Sequence, residues 1–143
     1  MIHTPAGTVA HPPIEVRWVR GVAFEAGRPQ GPRLAIDGDA QTAPSPFDAL
    51  LAAIASCASV DVVTILEKQR TPVHALEVRI EANRVASIPR RLASANLRFS
   101  ITAPGTTIEK ATRAVELSVT KYCSVRSSLI ADAPVTWTVE IKP

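Results

Sequence analysis

Apolar positions along this chain follow two different periods. Ile14, Val16 and Trp18 alternate with Glu15 and Arg17, which predicts a strand over residues 14–19. Gly21 reads as a bulge or turn. Residues 22–24 and 33–36 give two more short strands, separated by Gly27, Pro29, Gly31 and Pro32, and Asp37-Gly38-Asp39 reads as a turn. The period then changes. Ser45 suits an N-cap, Pro46 the first helical position, and Asp48 an acidic capping box. The helix they open runs to about Gln69, with Phe47, Leu50, Leu51, Ile54, Ala58, Val62 and Ile65 as its apolar stripe. Alternation returns over residues 75–82 (Leu76, Val78, Ile80) and 95–102 (Leu97, Phe99, Ile101). The basic link from Arg84 to Arg91 between them reads as a solvated loop. A second helix opens at Thr106, with Thr106-x-x-Glu109 as a capping box and Ile108, Ala111, Val115, Val119 and Tyr122 or Cys123 on its stripe. A short helical segment over about 124–131 precedes Pro134. A last strand carries Val135, Trp137, Val139 and Ile141 on one side. Trp18 and Trp137 read as core. The order β-β-β-α-β-β-α-α-β predicts an α+β fold with mainly antiparallel pairing, residues 1–13 forming a loose arm and 14–143 a single domain.

Composition narrows the function. At 143 residues one domain is the default, and 46% hydrophobic residues with a mean hydropathy of +0.13 exclude a disordered chain. The net charge of +3 is scattered, and aromatic residues are only 4%, which argues against nucleic-acid binding. No apolar run is expected to reach the ~18–20 residues of a membrane span, and the N-terminus has no basic region followed by an apolar one, so a cytoplasmic location is expected. His3, His11 and His74 have no patterned partner and read as bystanders. The two cysteines, Cys57 and Cys123, are too far apart and too few for a zinc site. In a reducing compartment they are either buried thiols or redox-active ones. Cys57 lies on the apolar side of the long helix, where burial alone raises a thiol pKa, and Asp61 one turn on would raise it further if it faced the same site. A reactive Cys57 therefore needs a nearby cation or hydrogen-bond donors.

The segment Pro46-Phe-Asp-Ala-Leu-Leu-Ala-Ala-Ile-Ala-Ser-Cys57, followed by Val60-Asp-Val-Val-Thr-Ile-Leu66, resembles the signature helix of the OsmC/Ohr family, the osmotically induced and organic-hydroperoxide-resistance proteins. Lys121-Tyr-Cys123-Ser-Val resembles the second cysteine segment of that family, in a less-studied branch, and the likeness covers roughly residues 14–142. It implies antiparallel sheets around a long central helix in an intertwined homodimer. It also implies a cofactor-free peroxidase in which Cys57 attacks an organic hydroperoxide and becomes a sulfenic acid. Cys123 then resolves it to a disulfide that an external dithiol reduces. Phe47, Leu50, Ile54 and Tyr122 are the candidates for the substrate's organic end. The better-known members carry a glutamate where this chain has Phe47, and an activating arginine from the N-terminal region. Arg20, Arg28 and Arg33 lie in that region, and Arg33, just before the turn leading to the helix, is preferred. The alternative function is a non-catalytic protein of the same fold that binds a small apolar ligand or senses redox state.

Overall fold

The computed structural model describes residues 5–129 and 133–143. His3 and the end of the helical segment expected over 124–131 lie outside the described residues. The backbone groups into two compact units, Met1–Ala49 and Leu50–Pro143.

The first unit is a three-stranded antiparallel sheet in the order β1 (Glu15–Arg20), β2 (Ala23–Gly27), β3 (Leu34–Asp37). Gly21, at φ +49°, makes the turn between β1 and β2, and the Trp18 indole N–H donates to its carbonyl at 2.8 Å. Tight approach continues at the end of β2, where a Cβ on Gly27 would run into the carbonyl oxygen of Pro32. The register places Trp18, Phe24 and Ile36 in one row, and Val16, Ala26 and Leu34 in the next row on the same face. Trp18 is nevertheless 66% exposed, so its assignment to the core is corrected. Strands of four to six residues give the indole too little to pack against, while Trp137 on the last strand is half-buried.

Asp37 ties down the loop after β3. Its buried carboxylate accepts from the N–H groups of Asp39, Gln41 and Thr42 at 3.0, 3.1 and 2.9 Å, and from the Thr42 hydroxyl at 3.0 Å. These bonds, led by the one from Thr42, lower its pKa from 3.8 to about 2 against the opposing effect of burial. A depressed carboxylate stabilises the fold above its unfolded pKa and loses that contribution as pH falls through the folded one. Stability should therefore drop between about pH 4 and pH 2. Asp37→Asn should melt at lower temperature at pH 7, with a flatter pH profile across that window. Thermal melts of both proteins from pH 2 to 7 check this, and parallel profiles would overturn it.

Helix α1 (Pro46–Lys68) opens as the sequence predicts. The Asp48 N–H donates to Ser45 Oγ at 3.1 Å and the Ser45 N–H to Asp48 Oδ2 at 2.9 Å, a reciprocal capping box. Its 23 residues rise about 35 Å. By length and composition α1 could cross a membrane, so the expectation that no run is long enough is corrected. In the second unit α1 buries Ile54, Ala55, Ala58, Val62 and Leu66. Beyond its end Arg70 adopts φ +62°, and the Thr71 N–H and hydroxyl both bond the Leu66 carbonyl, which closes the last turn.

The second sheet has the order β4 (Ala75–Arg84), β5 (Leu92–Thr102), β6 (Val135–Ile141). Register lines up Ile80, Leu97 and Trp137, then Val78, Phe99 and Val139, then Leu76, Ile101 and Ile141 on its apolar face. Leu97, Phe99 and Ile101 are the buried centre of the unit. β4 and β5 are antiparallel, whereas β5 and β6 are parallel, a departure from uniformly antiparallel sheets. The chain crosses between them through helical segments, and a crossover of that length returns the strand in the same direction.

The crossover begins at α2 (Ile108–Leu117), whose cap is Thr107, accepting from the Lys110 N–H at 3.2 Å. The cap expected at Thr106 is thus one residue early. The Thr106 N–H closes a turn onto Ala103, with Gly105 at φ +89°. α2 runs into a π-helical turn over Ser118–Tyr122, and α3 (Ser124–Ser127) follows. The wider turn shifts the helical phase. Cys123 is buried and Tyr122 is 50% exposed, so Cys123 takes the inner position and Tyr122 does not.

Candidate functional site

Two elements of the second unit bring the thiols together. Cys57 sits midway along α1, half-buried, one turn after the buried Ile54. Cys123 is held at the junction of the π-helical turn and α3, where its sulfur caps α3 by accepting from the Arg126 N–H at 3.4 Å. Its thiol also reaches the Ile54 carbonyl on α1, with 3.9 Å between sulfur and oxygen. The link to Ile54 holds the 123–125 turn against the stretch of α1 that carries Cys57. The Ser124 hydroxyl lies 3.9 Å from the Cys57 sulfur.

This arrangement drives the two thiols in opposite directions. Burial pushes Cys57 up, but hydrogen bonds to its sulfur from the Val125 N–H, the Cys123 thiol, the Ser124 hydroxyl and the Ser124 N–H outweigh it and hold the pKa below the ordinary 9.0. Cys123 is pushed up, first by burial and then by the neighbouring Cys57, against the bond from the Arg126 N–H. Cys123 stands at the start of α3, and burial is the larger cause of its raised pKa. The pair can thus present one ionised sulfur with a protonated thiol beside it.

The remaining predicted residues are placed as follows. Leu50 is half-buried and Ile54 fully buried on α1. Phe47, in the first turn of α1, is half-buried. Tyr122 is exposed, with Lys121 Nζ 5.4 Å from its ring centre. Arg33, in the first unit, bonds Glu15 Oε1 at 3.1 Å and the Gly27 carbonyl at 3.4 Å. The principal groups that lower Cys57 are uncharged donors from residues 123–125. Ser124 and Val125 were missed as site residues. The π-helical turn and the break at Cys123, which aim them at α1, leave no mark on residue periodicity. His74 is exposed, in keeping with a surface role. Among the described residues no group of three or more His, Cys, Asp or Glu side chains forms a metal site.

Residues 37–139 match the family described as OsmC-like protein. Protein YhfA of Escherichia coli is 35% identical over 127 residues, which cover 88% of this chain and 95% of YhfA. Among solved structures, an OsmC-like protein from Mycoplasma pneumoniae superposes with a TM-score of 0.77 at 15% identity, covering 94% of this chain and 99% of that one. The organic hydroperoxide resistance protein OhrB of Bacillus subtilis superposes with a TM-score of 0.58 at 16% identity, covering 90% and 96%. The α+β fold, with its two small sheets, is that of these proteins, and the chain belongs to the OsmC-like family.

Proposed function

We propose that this protein is a thiol peroxidase that reduces organic hydroperoxides. One arrangement carries the reading: Cys123 is hydrogen-bonded to the Ile54 carbonyl one turn before Cys57, and Ser124, next to Cys123, lies 3.9 Å from the Cys57 sulfur, with the pKa of Cys57 pushed down and that of Cys123 pushed up. The Cys57 thiolate attacks the terminal oxygen of the hydroperoxide. An S–O bond forms, the O–O bond breaks, and the departing alkoxide takes a proton from water to leave as the alcohol. Cys57 is now a sulfenic acid. Cys123 gives up its proton and attacks that sulfur, an S–S bond forms, and the hydroxyl leaves as water. An external dithiol returns both thiols to the reduced state, which suits a cytoplasmic setting. Phe47, Leu50 and Ile54 offer apolar surface along α1 for the organic group. A homodimer is proposed as the working form.

The test is stoichiometric. Reduced protein treated with one equivalent of tert-butyl hydroperoxide should lose two thiols per chain, and peptide mapping should find Cys57 joined to Cys123. If both thiols survive millimolar peroxide for minutes, the peroxidase reading fails and apolar-ligand binding takes its place, to be checked by mass spectrometry of the purified protein for a bound lipid-like molecule.

A further inference from the structure

The geometry points to Ser124 as the side chain that holds the ionised sulfur of Cys57. This deepens the peroxidase reading and rests on it for its purpose, though not for its test. The Ser124 hydroxyl lies 3.9 Å from Cys57 Sγ, and either group can donate while the cysteine is protonated. Once Cys57 ionises its sulfur can only accept, so the hydroxyl must be the donor. The backbone supports that orientation. Cys123 caps α3 through the Arg126 N–H and bonds the Ile54 carbonyl of α1, so Ser124 begins α3 beside the helix that carries Cys57. The Ser124 carbonyl is engaged separately, accepting from the Ser128 N–H and the Ser128 hydroxyl at 3.1 and 2.8 Å, which fixes the backbone and leaves the Ser124 side chain free to turn.

Among the described residues, three other titratable groups are nearest to Cys57 along α1, the 123–125 turn and α3. Cys123 faces it from the turn before α3, Asp61 lies one turn further along α1, and Arg126 is in α3, with its backbone N–H on the Cys123 sulfur. The main groups that favour ionised Cys57 are neutral: the Val125 N–H, the Cys123 thiol and the Ser124 hydroxyl and N–H. Of these, only the Ser124 hydroxyl and the Cys123 thiol are side chains that substitution can remove, and Cys123 is assigned to the chemistry itself. Ser124 is exposed, so changing it leaves the core intact.

Alkylation of Cys57 by iodoacetamide, followed by mass spectrometry of its peptide from pH 5 to 10, reads the thiolate directly and needs no peroxide. Ser124→Ala should move the midpoint upward by roughly half a unit to one unit, which slows alkylation at neutral pH about three- to ten-fold. Above the midpoint the two rates should converge, the variant being marginally faster because a more basic thiolate is the stronger nucleophile. Ser124→Thr, which keeps the hydroxyl, should restore the wild-type midpoint. An unchanged midpoint in Ser124→Ala overturns the assignment even if the wild type consumes peroxide. A shifted midpoint rescued by threonine supports it even if peroxide turnover is absent, so the failure of one reading is distinguishable from that of the other.

Discussion

Cys57→Ser is expected to abolish consumption of tert-butyl hydroperoxide, and Cys123→Ser to retain a single turnover per chain. The asymmetry follows from which sulfur is ionised. A thiolate, not a thiol, attacks peroxide, and hydrogen bonds from residues 123–125 hold Cys57 below the ordinary thiol pKa. Cys123 is buried and pushed the other way. With Cys57 gone, no accessible thiolate remains at neutral pH, and the rate should fall by at least about 100-fold, as expected when a nucleophile is deleted. With Cys123 gone, Cys57 still attacks, more slowly for the loss of one donor, and stops as a sulfenic acid that dimedone labels. In the wild type the rate should rise with pH through the Cys57 midpoint and level off above it, because the reactive form is the deprotonated one. Peroxide loss measured alongside dimedone mass spectrometry separates the cases. Dimedone label on Cys123 in the Cys57→Ser protein would reverse the roles assigned to the two sulfurs.

Much of this site was legible because local rules governed its placement. Ser45, Pro46 and Asp48 announce α1 through capping chemistry that depends on neighbours three residues away, and the structure shows those bonds. Strand alternation in residues 75–82 and 95–102 likewise survives as the buried rows around Leu97, Phe99 and Ile101. What periodicity missed lies where a regular helix ends. The π-helical turn over Ser118–Tyr122 moves Cys123 inward and Tyr122 outward, and no 3.6-residue count anticipates such a shift. Ser124 and Val125 become neighbours of Cys57 only through that turn, far from it in sequence. Trp18 fails for another reason: alternation says which residues share a face, not whether anything covers it.

That uncovered face leads to the proposed homodimer, which should be lost in Trp18→Asp. Trp18, Val16 and Leu34 share one face of the first sheet and are 66%, 63% and 54% exposed. Apolar side chains clustered on one face and open to water mark an interaction surface, unlike apolar residues scattered singly. The opposite face carries Arg17 and Glu25, paired across β1 and β2, so the two faces differ sharply in polarity. The Trp18 indole is held by its bond to the Gly21 carbonyl, which reduces the ordering entropy that association would cost. Tryptophans in such positions are frequent hot spots, with losses of at least about 2 kcal/mol on truncation, equivalent to about 30-fold in Kd. A carboxylate there adds the cost of desolvating a charge. Sedimentation equilibrium at low micromolar concentration should give twice the 15.3 kDa chain mass for the wild type. Trp18→Asp should shift the species toward the single chain, while Arg17→Ala on the opposite face should leave the dimer in place. A wild type of 15.3 kDa would remove the dimer altogether. A Trp18→Asp protein that remains dimeric would move the interface elsewhere, with Val60 and Val63, exposed on α1, as the next surface to test.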